Sequence, residues 1–390
     1  MKKVCLVSII LSLLVVFVSC APKAAEPVTR QITAAPPQPT AVVPTKAAWE
    51  QKWETTLAGA KSEGKVNIYS LWGPLVRDAI APPFTGKYGI ELEWVTLGRG
   101  NEMVAKIKNE KTAGLNIVDL MGGGATTLIT GAKPVGLLAP IESSLILPEV
   151  LDTKVWRGNQ LPFLDKDKTA MGLAFRLTNN IVVNSDIIKP GEITSLKDLL
   201  KPQYKGKVTI NDPSAPGSGN AIMASLAFFE WNEQEAVKYF KDLLANGTEV
   251  MRDNRLQIEW LAKGKSPIAV GAHADSLASF LEAGASNIVP VISREGEPVT
   301  PGSGAIAIPP QPAHPNATIV FLNWLLTREG QTAFVKGTTQ PVSRNDVPLE
   351  GVFSIFQPDP QQKLYVQTEE FINYQGKITK IVADILAANK

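Results

Sequence analysis

Cysteine is almost missing from this 390-residue sequence, which has only Cys5 and Cys20, both near the N-terminus. A chain segment without cysteine cannot form a disulfide, use a thiolate nucleophile or bind zinc through sulfur. The part of the sequence after Cys20 therefore forms no disulfide, uses no cysteine nucleophile and binds no zinc through cysteine.

The sequence also has little excess charge of either sign. It contains 39 lysines and arginines and 37 aspartates and glutamates. The first 19 residues contribute two of the lysines and no acidic residue, so without them the formal balance is 37 against 37. A neutral chain lacks the basic surface that nucleic-acid binding requires. We expect no nucleic-acid partner, and any selectivity for charge must come from a local cluster.

Recognisable catalytic motifs are missing as well. The sequence contains no nucleophile elbow, no HExxH zinc motif, no Walker loop and no recognisable acid pair. These absences are consistent with a protein that performs no chemistry, and we expect no enzymatic activity, no catalytic residue and no cofactor. A secreted hydrolase with an unrecognised acid pair is the enzymatic alternative, although Asp119 and Asp212 end or follow strands and are expected to cap turns. A sensory lipoprotein that does not transport its ligand is a third possibility.

The N-terminus reads as a targeting signal. Lys2 and Lys3 precede an apolar run from Val4 to Val18, which ends in Ser19-Cys20. The run is shorter than the roughly 20 residues that span a bilayer, and small residues follow it, as at a cleavage site. It resembles a bacterial lipoprotein signal peptide over residues 1–19, which implies that Cys20 is the lipid anchor. Phe17 stands where leucine is usual, and an ordinary signal peptide is the alternative.

Residues 20–48 follow this signal and are rich in alanine, proline and threonine. They show no apolar period, so they cannot form a core and are expected to be an extended tether. The resemblance to lipoproteins implies an extracytoplasmic body that is anchored to the bacterial cell membrane. Residues 49–390 are long enough for two domains.

Short β-rich runs alternate with helical patterns through this body. The runs at 66–70, 90–95 and 117–121 are separated by helical patterns, a spacing typical of parallel βαβ units. Two extended runs, 170–176 and 180–184, precede a second series of the same kind. This order predicts two α/β lobes, the second beginning after about residue 180.

Four stretches resemble a known family. They are Glu63–Val66 leading into Tyr69-Ser70, LGRGNEMVAKI at 97–107, KPGEITSLKDLLKPQYKGKV at 189–208 and HPNATIVFLNWLLTREGQ at 314–331. In their order and spacing, these stretches are similar to the solute-binding proteins of ferric-iron, polyamine and phosphonate-type ABC importers.

The resemblance implies the type II periplasmic-binding-protein fold, an α/β architecture of two lobes, each a mainly parallel sheet flanked by helices. A discontinuous first lobe (49–177 and 295–390) and a second lobe (178–294) would be joined by a two-strand hinge. The implied protein is a monomer that holds a small-molecule solute between its lobes and passes it to an ABC permease.

Four junctions between a strand and a helix are candidate ligand sites, since helix N-termini offer free N–H groups and a partial positive charge. Glycine at such a junction lets the backbone approach an anion closely. Ordinary turn chemistry is the alternative for each junction taken alone. The candidate residues are Ser70, Trp72, Gly73, Arg99, Gly123, Gly124, Ala125, Thr126, Gly217, Ser218, Gly219 and Asn220.

Two arginines are further candidates. Arg176 lies in an otherwise apolar run beside the expected hinge, where its guanidinium suits a carboxylate or phosphate. A salt bridge to a surface acid is the alternative for Arg176, and more so for Arg255. Trp72 is either a stacking surface for the ligand or a core residue.

His273 and Asp275 follow the predicted strand at 268–271. In ferric-binding members of the family, adjacent tyrosines bind the metal in this stretch, whereas none of the six tyrosines here is adjacent to another. We therefore expect a small organic anion, a carboxylate or a phosphate or phosphonate, and no metal. Ferric iron held by His273 and Asp275 is the alternative.

Overall fold

The structure is a computed structural model, and it describes residues 46–359 and 362–389. The predicted signal peptide, the anchor Cys20 and most of the predicted tether lie outside the described residues. The tether prediction ends slightly late, because the first helix already begins at Ala48. Residues 46–390 belong to one compact unit.

The described residues form a mixture of helices and short strands. The α-helices are α1 (Ala48–Glu63), α2 (Pro74–Tyr88), α3 (Gly100–Thr112), α4 (Pro148–Leu151), α5 (Ser218–Ser225), α6 (Glu233–Ala245), α7 (Asn254–Ala262), α8 (Ala274–Glu282), α9 (Pro315–Leu326), α10 (Arg328–Thr338) and α11 (Glu369–Ala388). The strands are β1 (Lys65–Ser70), β2 (Glu91–Thr96), β3 (Leu120–Gly123), β4 (Ala170–Gly172), β5 (Arg176–Leu177), β6 (Ile181–Asn184), β7 (Val208–Asn211), β8 (Glu249–Met251), β9 (Ile268–Val270), β10 (Ile288–Val291), β11 (Glu297–Thr300), β12 (Ala305–Ala307) and β13 (Leu364–Val366).

Shorter helical turns complete the chain. Two are π-helical, Thr127–Ala132 and Leu226–Glu230. The 3₁₀ turns are Lys133–Val135, Glu142–Ser144, Thr153–Val155, Arg157–Asn159, Leu196–Leu200, Pro202–Tyr204 and Ser354–Phe356.

Two five-stranded sheets form the centres of the two lobes. The first has the order β2-β1-β3-β12-β4, and β12 is antiparallel to both of its neighbours while β1, β2 and β3 are parallel. The second has the order β10-β6-β9-β7-β8, with β6 as the reversed strand. In each sheet four strands therefore point the same way, which confirms the predicted mainly parallel arrangement.

A small third sheet links the two large ones. The chain passes from β4 through β5 to β6, and returns from β10 through β11 to β12. The two crossing strands pair antiparallel, with Leu177 opposite Val299 and Arg176 opposite Thr300. This pair is the predicted two-strand hinge. Strand β13 adds a third strand beside β11, which the sequence pattern did not predict.

The last helix, α11, contacts both lobes. At its start, Glu369 forms an ion pair with Lys133, and Ile372 packs with the buried residues under the first sheet. Further along, Ile378 and Val382 are buried in the core of the second sheet. The predicted lobe boundaries remain a prediction, and the packing of α11 is a physical reason to count this helix with the second lobe.

The type II fold is confirmed by this architecture. The sequence pattern also located individual elements well: the predicted strand at 268–271 matches β9 to within one residue. Within residues 46–359 and 362–389, no helix combines the length and the apolar character that a bilayer span requires.

Candidate functional site

A cavity of about 370 Å³ opens beside the hinge. This volume is within the range of small-molecule sites in proteins. Both lobes, the hinge strands and α11 contribute to its lining. The lining residues are Gly124, Ala125, Thr126, Thr130, Arg176, Thr178, Pro216, Gly217, Ser218, Asn220, Ala221, His273, Thr300, Gly302, Gln367, Ile372, Asn373, Gln375, Gly376 and Thr379.

The first lobe reaches the cavity through the turn after β3. Strand β3 ends at Gly123, and the chain enters a helical turn whose first bond runs from the Leu128 N–H to the Gly124 carbonyl (3.1 Å). The N–H groups before Leu128 thus have no partner within that turn. Gly124, Ala125 and Thr126, which belong to one of the predicted strand-to-helix junctions, line the cavity.

The second lobe contributes the start of α5. Strand β7 ends at Asn211, and a loop leads to Gly217 before the helix. The first helical bond runs from the Ala221 N–H to the Gly217 carbonyl (3.0 Å), so the N–H groups of the first turn are not used within the helix. Gly217, Ser218 and Asn220 line the cavity. Helix starts from opposite lobes thus contribute partial positive charge to one cavity.

Gly219 has a different role from the one predicted. It does not line the cavity, and a Cβ at this position would lie 1.8 Å from the carbonyl oxygen of Asn211. Its N–H group donates to Asn211 Oδ1 (3.2 Å). The missing side chain therefore lets α5 begin directly against the end of β7 and is not needed for approach to an anion.

The close approach of Gly219 to the Asn211 carbonyl leaves no room for a side chain at residue 219. Gly219→Ala should destabilise the protein by about 3 kcal/mol, because the obstacle is main chain and cannot rotate away. Gly376→Ala in α11 is the matched control: its Cβ would meet nothing within 4 Å, so removing a helical glycine should stabilise by about 0.5–1 kcal/mol. Urea denaturation of both variants measures the difference, and equal stabilities would contradict the account of Gly219.

Arg176 lies on the cavity wall at the hinge. Its side chain is 15% exposed, and Nη1 donates to Oδ1 of Asp275 at 3.3 Å. A Cβ on Gly302, whose φ is +56°, would lie 3.0 Å from Arg176 Cζ, so the guanidinium lies close against that glycine. Burial lowers the pKa of Arg176, while Asp275 opposes that shift. The guanidinium is therefore poorly hydrated and held in place.

The ion pair with Asp275 matches the salt-bridge alternative for Arg176. The bond is long, and the Asp275 side chain is 67% exposed, so the pair contributes little stability. An arginine carries five N–H donors. Among the described residues, the Arg176 guanidinium makes one hydrogen bond to another side chain, the bond to Asp275. Most of its donors therefore remain for a ligand anion.

His273 lines the cavity at the start of α8. Its Nδ1 atom is buried and lacks a hydrogen-bond partner among the described residues. Burial lowers the pKa of His273, so the imidazole is neutral at pH 7. A neutral ring can donate from one nitrogen and accept at the other. His273 is thus suited to a hydrogen bond with a ligand.

The described lining of the cavity carries a positive charge and no negative charge. Of the described lining residues, Arg176 alone is permanently charged, and none is an aspartate, glutamate or tyrosine. His273 Nδ1 lies 4.0 Å from Asp275 Oδ2. No group of three or more acidic, histidine or cysteine residues suited to a metal occurs within the described parts of the chain. The cavity offers hydrogen-bond donors to an anion, and it lacks the hard oxygen ligands that ferric iron prefers.

Several predicted site residues do not line this cavity. Trp72 is 2% exposed and packs against Trp94 and Phe334, and its Nε1 donates to the Ser303 carbonyl, so it is a core residue here. Ser70 is fully buried, with Oγ accepting from the Trp72 N–H.

The remaining exceptions lie at the other junctions. Gly73 and Arg99 cap α2 and α3, and Gly123 is a buried strand residue. Arg255 is exposed on α7, over the ring of Phe280. These residues do not contact the cavity that Arg176 lines.

Helix α11 supplies lining residues that the sequence reasoning missed. Asn373, Gly376 and Thr379 recur every three residues, beside the apolar face formed by Ile378 and Val382. This stripe of polar and small residues was a usable signal. Thr379 Oγ1 accepts from Asn220 Nδ2 (2.9 Å), which ties α11 to the start of α5.

Similar proteins were found by sequence. A family described as bacterial extracellular solute-binding protein matches residues 79–361. An uncharacterised protein of Haemophilus influenzae is 25% identical over 70% of this chain and 75% of its own length. Iron uptake protein A1 of Synechocystis is 23% identical, and a spermidine/putrescine-binding periplasmic protein of Salmonella typhimurium is 28% identical. These last two matches cover 53% and 42% of those proteins.

Similar structures show the same fold at low sequence identity. A Trichodesmium protein (IdiA, FutA) in complex with iron and citrate ligands is 22% identical, with a TM-score of 0.66 over 83% of this chain and 99% of that one. AfuA of Actinobacillus pleuropneumoniae, with fructose-6-phosphate bound, is 22% identical, with a TM-score of 0.59 over 83% and 97%. The family match covers well over half of the sequence, and this chain therefore belongs to the bacterial extracellular solute-binding proteins.

Proposed function

We propose that this chain captures a small organic anion, of the carboxylate or phosphate and phosphonate type, and delivers it to the membrane permease of an ABC importer. One observation carries the proposal: a poorly hydrated guanidinium, that of Arg176, lines a cavity without any carboxylate in its lining. Such a site favours an anion, because burying one charge beside another of opposite sign offsets the loss of hydration.

The neutral part of the lining supports a polar organic ligand. Hydroxyl and amide side chains from both lobes and from α11 surround the cavity, including Thr126, Ser218, Asn373 and Gln375. Hydroxyl and amide groups orient a ligand by hydrogen bonds and add no charge. The solute that fits is an anion with further hydrogen-bonding groups.

Two other solute classes fit the lining less well. A polyamine would need carboxylates to balance its charge, and the lining has none. Ferric iron is the second candidate, because the relatives include an iron uptake protein and a protein in complex with iron and citrate ligands. A site built on His273 and Asp275 would then have to take further ligands from outside the chain.

We propose an extracytoplasmic monomer, anchored to the bacterial cell membrane through Cys20, that binds and releases its solute without changing it. The family match supports the extracellular location. A secreted hydrolase would instead release a chemically changed product. A sensory lipoprotein would bind its ligand without supporting uptake.

A thermal-shift screen tests the proposed solute class. The purified protein is heated with organic acids, sugar phosphates, phosphonates, polyamines and ferric salts. An anion that binds the folded state should raise the melting temperature, since a ligand at 100 times its Kd stabilises by about 2.7 kcal/mol. Stabilisation by ferric salts or polyamines alone, without any response to an organic anion, would defeat the proposal.

A further inference from the structure

A second, smaller cavity also lies beside the hinge strands. It has a volume of about 120 Å³ and is lined by residues around β5, β11 and the turn Arg157–Asn159. Phe175 lines this cavity, whereas Arg176, the next residue, lines the solute cavity. Successive residues of an extended chain point to opposite faces. Phe175 and Arg176 therefore point to different cavities, and the two cavities share only Thr300 among their described lining residues.

Arg157 is the single charged residue among the described residues that line this cavity. Its Nε donates to the Val342 carbonyl (3.0 Å), and its guanidinium lies 5.0 Å from the centre of the Phe175 ring. It forms no ion pair within residues 46–359 and 362–389. Burial lowers the pKa of Arg157. A partly buried cation without a counter-ion is costly, and a bound anion would offset that cost.

The other walls are mostly apolar. Leu161, Phe163 and Val299 line the cavity together with Val366, which is 49% exposed at its edge. The volume of about 120 Å³ limits the ligand to a small molecule. One cation among mostly apolar walls matches an acid with a short hydrocarbon tail.

We propose that this second cavity binds a short-chain carboxylate, with its carboxylate on the Arg157 guanidinium and its alkyl chain against Leu161, Phe163 and Val299. The ligand would lie against the crossing strands β5 and β11, so it would occupy a site separate from the transported solute. This proposal does not depend on the identity of that solute.

The test uses n-butyrate and the full chain. Saturation-transfer NMR measures butyrate binding to the wild-type protein and to Arg157→Gln, Arg176→Gln and Val366→Phe. Arg157→Gln should weaken binding at least about tenfold, because it removes a charge-assisted hydrogen bond. Val366→Phe should weaken it similarly, because the ring fills the edge of the cavity. Arg176→Gln should retain the butyrate binding that depends on Arg157, even if it loses binding in the solute cavity, and the uncharged analogue n-butanol should bind more weakly.

Several outcomes would overturn the proposal. Loss of binding in Arg176→Gln with retention in Arg157→Gln would place butyrate in the solute cavity. Equal binding by the wild type and Arg157→Gln would remove the guanidinium from the site. No binding by the wild type at about 10 mM butyrate would exclude this ligand class. If Arg157→Gln does not fold in a thermal melt, Val366→Phe decides, since Val366 lies half exposed outside the packed core.

Discussion

Arg176→Ala is expected to weaken solute binding by about 10- to 100-fold and to change stability little. A hydrogen bond to a charged group contributes about 1.5–3 kcal/mol, which corresponds to this range of affinities. The loss of stability should be small, because the partner of Arg176 is the exposed Asp275 at a long distance of 3.3 Å. Isothermal titration calorimetry with the anion from the thermal-shift screen measures the affinity.

Arg255→Ala is the matched control for this change. It removes the same side chain from an exposed position on α7 that does not line the cavity. Its affinity should equal that of the wild type, and urea denaturation should show that both variants fold. If Arg176→Ala binds the solute as tightly as Arg255→Ala does, Arg176 is not part of the binding site.

A second large effect is expected at Glu297, which joins the two hinge crossings. Glu297 is 1% exposed at the start of β11, and its carboxyl oxygen accepts from the Asn180 N–H (2.6 Å) on the opposite crossing. Ser293 Oγ lies 3.4 Å from its other oxygen. Burial raises the pKa of Glu297 to about 8, and these hydrogen bonds and the nearby Glu295 are smaller influences. The folded protein therefore holds a proton here at neutral pH.

The free energy of unfolding should depend on pH, because the folded state binds the Glu297 proton more tightly than the unfolded state does. Between the ordinary pKa of 4.5 and about 8, the folded state keeps the proton and the unfolded state has lost it. The free energy of unfolding should therefore fall as pH rises through this window, by up to about 5 kcal/mol from this group. Above pH 8 both states are ionised, and no further loss from Glu297 is expected.

Glu297→Gln should remove this dependence. The amide has the same shape and can accept from the Asn180 N–H, but it cannot lose a proton. Urea denaturation should show the variant and wild type equally stable near pH 4.5, and the variant more stable near pH 8.5. Glu282→Gln, at an exposed position at the end of α8, is the control. Parallel pH profiles for Glu297→Gln and the wild type would contradict the assignment.

The sequence predicted the regular elements better than their tertiary roles. The alternation of short apolar runs and amphipathic helices predicted the two lobes, and the resemblance to the solute-binding family implied the two-strand hinge. Strand β13 was missed because its three residues, Leu364–Val366, form a strand only by pairing with β11. Such short strands are determined by long-range contacts and have little local signal.

The sequence predicted only part of the candidate site, because the rest of the site also depends on long-range contacts. The glycine-rich starts of the turn at 124–126 and of α5 have a local signature, and both lie at the cavity. Whether a tryptophan at a strand end faces a ligand or the core depends on its neighbours, and Trp94 and Phe334 surround Trp72. The contribution of α11 depends on where the end of the chain packs, which its amphipathic pattern alone does not determine.

A crystal structure of the protein with the anion selected by the thermal-shift screen tests the central claim most directly. We expect the anionic group of the solute on the Arg176 guanidinium, beside the N–H groups of Gly217, Ser218 and Asn220, with the solute chemically unchanged. A metal ion or a cationic solute in the cavity, or an anion bound away from Arg176, would contradict the account.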